Sequence, residues 1–352
     1  MFLSIIPNEL LLLLLVYLDS EADLASLART NRSFYETLIP HLYHRNARRS
    51  QGSALLYAVQ HSQVSATQKA LDAGMDVHMR TPLPDERPLL SVAAQGGNPR
   101  LVQLLLDAAS TEVAALDNQG HTPLFLAASH GHRPVVQLLL EHGADPNVAD
   151  RGRRTPLHIA SLRGHTAVVE TLLAQATIRI DVYSNDGDTP LGAATRHGHA
   201  GVVAALLAHG AHAGLHRFRG SQVVIHSALV RGQPEILRLL VNRDDVDVNA
   251  LFQNRTPLQV AVEANRDDLV EILLSDPRVH PDLSVLKTGQ TPLLQAALKN
   301  NDRLVRLLLT AGANPRIMDR TWLSAAMILD APDAAARAKL IRDRSLCHRN
   351  QG

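Results

Sequence analysis

The chain has 352 residues, longer than one hydrophobic core usually grows, and 45% of them are apolar while only 3% are aromatic. That combination excludes a disordered chain and a single deep aromatic core, and it favours a repetitive or multidomain helical protein packed through small and branched aliphatics. Lysine plus arginine number 35 against 34 aspartate plus glutamate, for a net charge of +1, so no long-range field selects nucleic acid or a membrane surface.

The first predicted elements lie between Ile5 and about Arg49, in IIPNELLLLLLVYLDSEADLASLARTNRSFYETLIPHLYHR. Pro7 stands where a helix starts, and breaks near Asp19 and Asn31 divide the segment into two or three apolar helices. The run Leu10 to Val16 is far short of the ~20 residues that cross a bilayer and lacks a basic flank. It is read as a buried helix, neither membrane span nor signal peptide. Leucine all round that helix exceeds what one packed face needs, so part of it awaits a partner.

From residue 53 a repeat frame takes over. Its copies are SALLYAVQHS from Ser53, PLLSVAAQGG from Pro88, TPLFLAASHG from Thr122, TPLHIASLRG from Thr155, TPLGAATRHG from Thr189, VVIHSALVRG from Val223, TPLQVAVEAN from Thr256 and TPLLQAALKN from Thr291. Successive starts are 33 to 35 residues apart. Two residues past each start stand Leu55, Leu90, Leu124, Leu157, Leu191, Ile225, Leu258 and Leu293. Five past each start stand Ala58, Ala93, Ala127, Ala160, Ala194, Ala228, Ala261 and Ala296. An unbroken alanine column means helices packed so closely that a larger side chain would overpack.

A second apolar group follows each first helix, as in Val135, Val136, Leu139 and Leu140, or Leu304, Val305, Leu308 and Leu309. The i, i+1, i+4, i+5 spacing predicts that all four share one buried helix face. Gly97, Gly131, Gly164, Gly198 and Gly232 lie between the two helices, where a positive φ ends the first. Each unit is therefore helix, turn, helix. The copy at Val223 lacks Thr-Pro, Ala66 and Thr67 weaken the second helix of the first copy, and Leu323 with Ala326 suggest a truncated ninth.

This pattern resembles the ankyrin repeat, with its T-P-L-H-x-A signature, which Thr155, Pro156, Leu157, His158 and Ala160 match in full. The resemblance implies an all-α fold, a helical solenoid of about eight repeats over residues 50–330, preceded by a short helical unit over 1–49 and followed by a helix or tail over 331–352. A repeat stack has no closed pocket for desolvating a reacting group, so recognition of a protein is expected and catalysis is not.

The amino-terminal segment is similar to a fungal-type F-box. Ile6, Pro7, Glu9 and Leu10 match its opening L-P-x-E-L/I, Tyr17 and Leu18 its Y-L, and Asp23, Leu24 and Leu27 its D-L-x-x-L. The resemblance implies docking of a Skp-type adaptor of a cullin-RING ubiquitin ligase, through Ile6, Pro7, Leu10, Leu11, Leu14, Leu18, Leu24 and Leu27. The ankyrin-like repeats would then recruit the protein to be ubiquitinated. The alternative is an ankyrin scaffold or inhibitor whose amino-terminal helices only cap the first repeat.

No nucleophile with its base, carboxylate pair or phosphate loop is found, and no cofactor is expected. His130, His132, His197 and His199 flank the inter-helix glycines and are read as turn-packing residues, with His158 a hydrogen-bonding partner inside the Thr155 turn. Cys347, the single cysteine, can form no internal disulfide, which fits the cytoplasm or nucleus. Arg151, Arg154, Arg163, Arg196, His197, Arg219, Arg231 and Arg255 occupy hairpin tips and first-helix ends, with Asp186 and Asp188 the main acidic exceptions. They predict a locally basic surface for an acidic or phosphorylated target segment.

Overall fold

In a computed structural model of the chain, residues 53–108, 113–214, 224–284, 288–321 and 323–331 are described. Seventeen helices, three isolated β-bridges and no strand occur among the described residues, as the all-α expectation requires. They are α1 (Ser53–Gln60), α2 (Val64–Asp72), α3 (Leu89–Gly96), α4 (Pro99–Ala108), α5 (Pro123–Ser129), α6 (Arg133–Glu141), α7 (Pro156–Arg163), α8 (Thr166–Leu173), α9 (Pro190–His197), α10 (Ala200–Ala208), α11 (Val224–Val230), α12 (Pro234–Val241), α13 (Pro257–Glu263), α14 (Asp267–Leu274), α15 (Pro292–Leu298), α16 (Asp302–Thr310) and α17 (Ala325–Leu329). Eight helix pairs and a final single helix reproduce the repeat frame.

The chain divides into two compact units, Met1–Ala160 with Glu170–Ile178, and Ser161–Val169 with Arg179–Gly352. In the first, α1, α3 and α5 pack in sequence as one row and α2, α4 and α6 as a second. In the second, α9, α11, α13, α15 and α17 form one row, and α10, α12, α14 and α16 the other.

The first helices start the same way wherever Thr-Pro is present. Proline occupies the first turn, where its missing N–H is no loss, and the threonine hydroxyl accepts an otherwise orphaned backbone N–H. Thr122 accepts from Phe125 N–H at 3.0 Å, Thr189 from Gly192 at 3.2 Å and Thr291 from Leu294 at 3.2 Å. At Thr256 the Gln259 side chain returns the bond to the Thr256 N–H at 2.9 Å, completing a capping box.

Both sequence columns are core. All eight alanines are at most 2% exposed and all eight aliphatics at most 3%. The five inter-helix glycines have φ between +64° and +80°. The first copy's second helix forms despite Ala66 and Thr67, because Thr67 is buried and its hydroxyl donates to the Gln63 carbonyl at 3.0 Å. Leu323 and Ile328 are buried, which makes α17 the start of the ninth copy.

The four-residue stripe of the second helices is buried in full in α4, α8, α10 and α12, where its fourth members Leu106, Leu173, Leu207 and Val241 are at most 8% exposed, and only in part in α6 and α16. Val135, Val136 and Leu139 are buried, as are Leu304, Val305 and Leu308, but Leu140 is half-buried and Leu309 is 40% exposed. At 100° per residue the fourth member lies at the edge of the stripe, so its burial varies from one repeat to another.

Neighbouring repeats are also stitched by polar contacts. The His132 imidazole lies over Gly97 and its Nε2 donates to the Gln95 carbonyl at 2.9 Å. His199 does the same two pairs further on, lying over Gly164 and donating to Leu162 O at 3.0 Å. Gln233 takes that place over Gly198, and Arg266 over Gly232. His132 and His199 thus pack against turns, as read from the sequence. Arg278, held by Asp276, reaches across to the carbonyls of Val241 and Arg243 at 2.7 and 3.0 Å.

Candidate partner-binding surface

The hairpins between repeats set this surface. Asp117 is buried and its carboxylate accepts from the N–H groups of Gln119 and His121 at 2.9 and 2.8 Å. Asp150 accepts from Arg154 N–H at 2.7 Å, and Asp319 from Thr321 and Leu323 at 2.8 and 3.0 Å. A side-chain acceptor closing a turn on its own backbone is what aspartate does best at such positions. His121 bridges two hairpins, 3.0 Å from Asp117 and 3.8 Å from Asp150, while its ring stacks on Phe125.

Several of the arginines expected to face a partner are engaged within the fold. The Arg154 guanidinium meets Asp150 Oδ2 through Nε at 2.8 Å and Nη2 at 2.7 Å. Arg196 pairs with Asp188, and Arg255 with Glu263 at 2.7 Å. Asp150 and Glu263 therefore join Asp186 and Asp188 as acidic members that the sequence reading did not count. Arg151 is exposed, and its backbone N–H donates to Gln119 O at 3.2 Å.

A common slot explains the Arg196 and Arg255 pairs. The residue just before the repeat start faces the residue seven past it, which gives Arg87–Gln95 at 2.9 Å, Asp188–Arg196 and Arg255–Glu263. The order of the charges is reversed between the fifth and seventh repeats, and each pair braces a hairpin against the end of its own first helix. Comparing these two columns in the sequence would have found the braces.

Arg163, His197 and Arg231 stand one position later and are exposed; neither Arg163 nor Arg231 has an ion pair among the described residues. His197 is held below the usual histidine range by partial desolvation and then by the charges of His199, Arg196 and Arg231, against the opposing pull of Asp188. Its ring is parallel to that of His199, with centroids 6.3 Å apart. Asp188 is pushed up by burial, against the pull of Arg196.

Two histidines share the third position past a repeat start. His158 accepts the Thr155 N–H on Nδ1 at 3.2 Å, inside the turn, as expected. His226 was not recognised as its counterpart because its copy lacks Thr-Pro. Its Nε2 donates to the Arg255 carbonyl at 3.2 Å, its ring tilts against Phe252, and its buried Nδ1 has no partner. Burial holds His226 below the usual value of 6.5, against the Arg255 hydrogen bond and the Asp247 charge. The unfolded chain takes up this proton from about pH 6.5 downward and the folded chain only at lower pH, so stability present above that value declines as pH falls. We expect the urea midpoint to drop between pH 7.5 and 5.5, and His226→Leu to flatten part of that slope; an unchanged slope in the variant would refute the assignment.

Among the described residues, no group of three or more histidine, cysteine or carboxylate side chains is placed to hold a metal, and no helix is long and apolar enough to cross a membrane. Ile6, Pro7, Leu10, Leu11, Leu14, Leu18, Leu24 and Leu27, together with Arg219 and Cys347, lie outside the described residues.

Comparison with known proteins gives matches over most of the chain. The family model for ankyrin repeats in three copies matches residues 55–150, 149–217 and 215–284, and the single ankyrin-repeat model matches 288–320. The F-box-like model matches residues 3–49; it is general and does not single out a fungal type. Among curated relatives, zygote-specific protein 3 of Chlamydomonas reinhardtii is 39% identical over 98 residues, 28% of this chain and 25% of that protein. Ankyrin repeat and KH domain-containing protein mask of Drosophila melanogaster is 42% identical over 64 residues, 18% of this chain and 2% of that protein. Ankyrin repeat family A protein 2 of Mus musculus is 51% identical over 37 residues, 10% of this chain and 12% of that protein. The aligned stretches thus span a quarter or less of these relatives. The solved human ASB11 ankyrin repeat domain aligns with a TM-score of 0.49 at 30% identity, covering 63% of this chain and 97% of that one. The chain belongs to the ankyrin-repeat family and carries an F-box-like domain ahead of its repeats.

Proposed function

We propose that the protein is the substrate-recognition subunit of an SCF-type ubiquitin ligase. Its F-box-like segment docks a Skp-type adaptor and through it the cullin-RING ligase, and its ankyrin repeats hold the protein to be modified. The observation that carries this reading is the presence in one chain of an F-box-like match at 3–49 and ankyrin-repeat matches over 55–284 and 288–320. Both are interaction modules. The repeats are braced internally by paired side chains, which leaves a rigid surface for recognition, and the chemistry of ubiquitin transfer is done by the other subunits. The cytoplasm or nucleus is the compartment that this role and the single cysteine favour.

A pull-down from cell lysate tests the proposal, comparing the intact chain with Pro7→Ala plus Leu10→Ala and probing for Skp-type adaptor and cullin. The intact chain should recover both and the double variant neither, with the urea midpoint of the repeats unchanged. Failure of the intact chain to recover adaptor would leave an ankyrin scaffold with a helical cap.

A further inference from the structure

The residue immediately before the inter-helix glycine is Arg163 before Gly164, His197 before Gly198 and Arg231 before Gly232. All three belong to the unit formed by Ser161–Val169 with Arg179–Gly352. Their register is fixed by the polar stitches, since His199 lies over Gly164 and Gln233 over Gly198. The three side chains therefore occupy equivalent places in successive repeats, and all are exposed. The braces consume Arg196, one position earlier in the frame, and Arg255, just before a repeat start, and leave this row unspent.

A cation at a helix carboxy-terminus is favoured by the helix dipole, which accounts for its sign. The dipole does not call for an exposed row in which, among the described residues, neither arginine has an ion pair, however. Asp188, whose charge acts on His197, is already paired with Arg196, and the charges of Arg196 and Arg231 both act on His197 as well. Val230, beside Arg231, is 63% exposed and adds an apolar contact at the end of the row.

We infer that Arg163, His197 and Arg231 bind an extended acidic segment of a partner protein that places one carboxylate at about every third residue. Packed helices lie about 8–10 Å apart and an extended chain advances about 3.3 Å per residue, so one repeat corresponds to about three residues. Each repeat supplies a single donor group, which matches singly charged carboxylates one at a time; a phosphate dianion calls for several donors converging on one point. Neutral His197 offers an N–H to the middle carboxylate. This assignment rests on the reading of the repeats as the target-holding half of the protein and specifies the chemistry of that target.

The test uses the full chain and labelled 13-residue peptides of serine and glycine with one leucine and three glutamates, read by fluorescence anisotropy at low ionic strength. Glutamates at i, i+3 and i+6 should bind at least about fivefold more tightly than glutamates at i, i+1, i+2 or i, i+5, i+10. Arg163→Glu with Arg231→Glu should weaken that peptide at least about tenfold, since two exposed pairs are lost and two repulsions gained. Arg163→Ser with Arg231→Ser should weaken it less, at an unchanged urea midpoint. Equal binding at all spacings, binding that survives the double reversal, or binding of phosphoserine peptides alone would overturn the inference. The Pro7→Ala plus Leu10→Ala chain should bind the peptide like the intact protein, which separates failure here from failure of the ligase reading.

Discussion

Leu124→Ala is expected to lower the unfolding free energy by about 2–5 kcal/mol, whereas Leu309→Ala, in an equally apolar stretch of sequence, should change it by less than about 0.5 kcal/mol. Leu124 is fully buried in α5, which packs against α3, so truncation leaves a cavity that neighbouring helices cannot close without moving. Leu309 is 40% exposed on α16 and its truncation mainly removes surface from water. Stability in a repeat stack comes from each unit and its interfaces, so the Leu124 loss should be felt on both sides of the third repeat. Hydrogen exchange should show weakened protection in α3 and α5 together, with urea unfolding giving the size of the loss. A Leu124→Ala midpoint equal to that of Leu309→Ala would mean that the aliphatic column is not the core.

The extent to which such features can be read from sequence follows from how often the fold repeats an environment. Leu157 and Ala160 sit in surroundings that recur every 33 to 35 residues, so the same residue types recur and the column is visible by eye. The positive-φ glycines and the Thr-Pro starts are legible for the same reason. The stripe of the second helices is legible at its centre, whereas its fourth position lies at the edge and is covered in some repeats, as at Leu106 and Val241, and left partly open in others, as at Leu140 and Leu309. Charged side chains escape this logic most. Arg196 and Arg255 read as free surface cations because their partners Asp188 and Glu263 lie eight residues away in opposite directions. Both pairs use the same slot, but with the order of the charges reversed. His226 was hidden by the loss of Thr-Pro around it, although its offset from the repeat start equals that of His158. The amino-terminal segment carries its information in short apolar matches and lies outside the described residues.

Gly164→Ala is expected to cost about 2–4 kcal/mol, more than a turn glycine alone would explain. Its φ of +77° puts an alanine in the left-handed region, at about 1–2 kcal/mol. The remainder is steric, since an added Cβ would fall 2.5 Å from His199 Nδ1. The imidazole cannot simply swing aside without breaking its hydrogen bond to Leu162 O, worth about 1 kcal/mol. His199→Ala alone should cost about that bond, and in its background Gly164→Ala should cost only the backbone strain. The two substitutions are therefore expected to be non-additive by about 1–2 kcal/mol in urea unfolding. Strict additivity would show that glycine stands there for its φ alone and that the histidine stitch does not hold the fourth and fifth repeats in register. Because that register also aligns Arg163 with His197, His199→Ala should blunt the preference for carboxylates three residues apart while leaving the charge of the row unchanged.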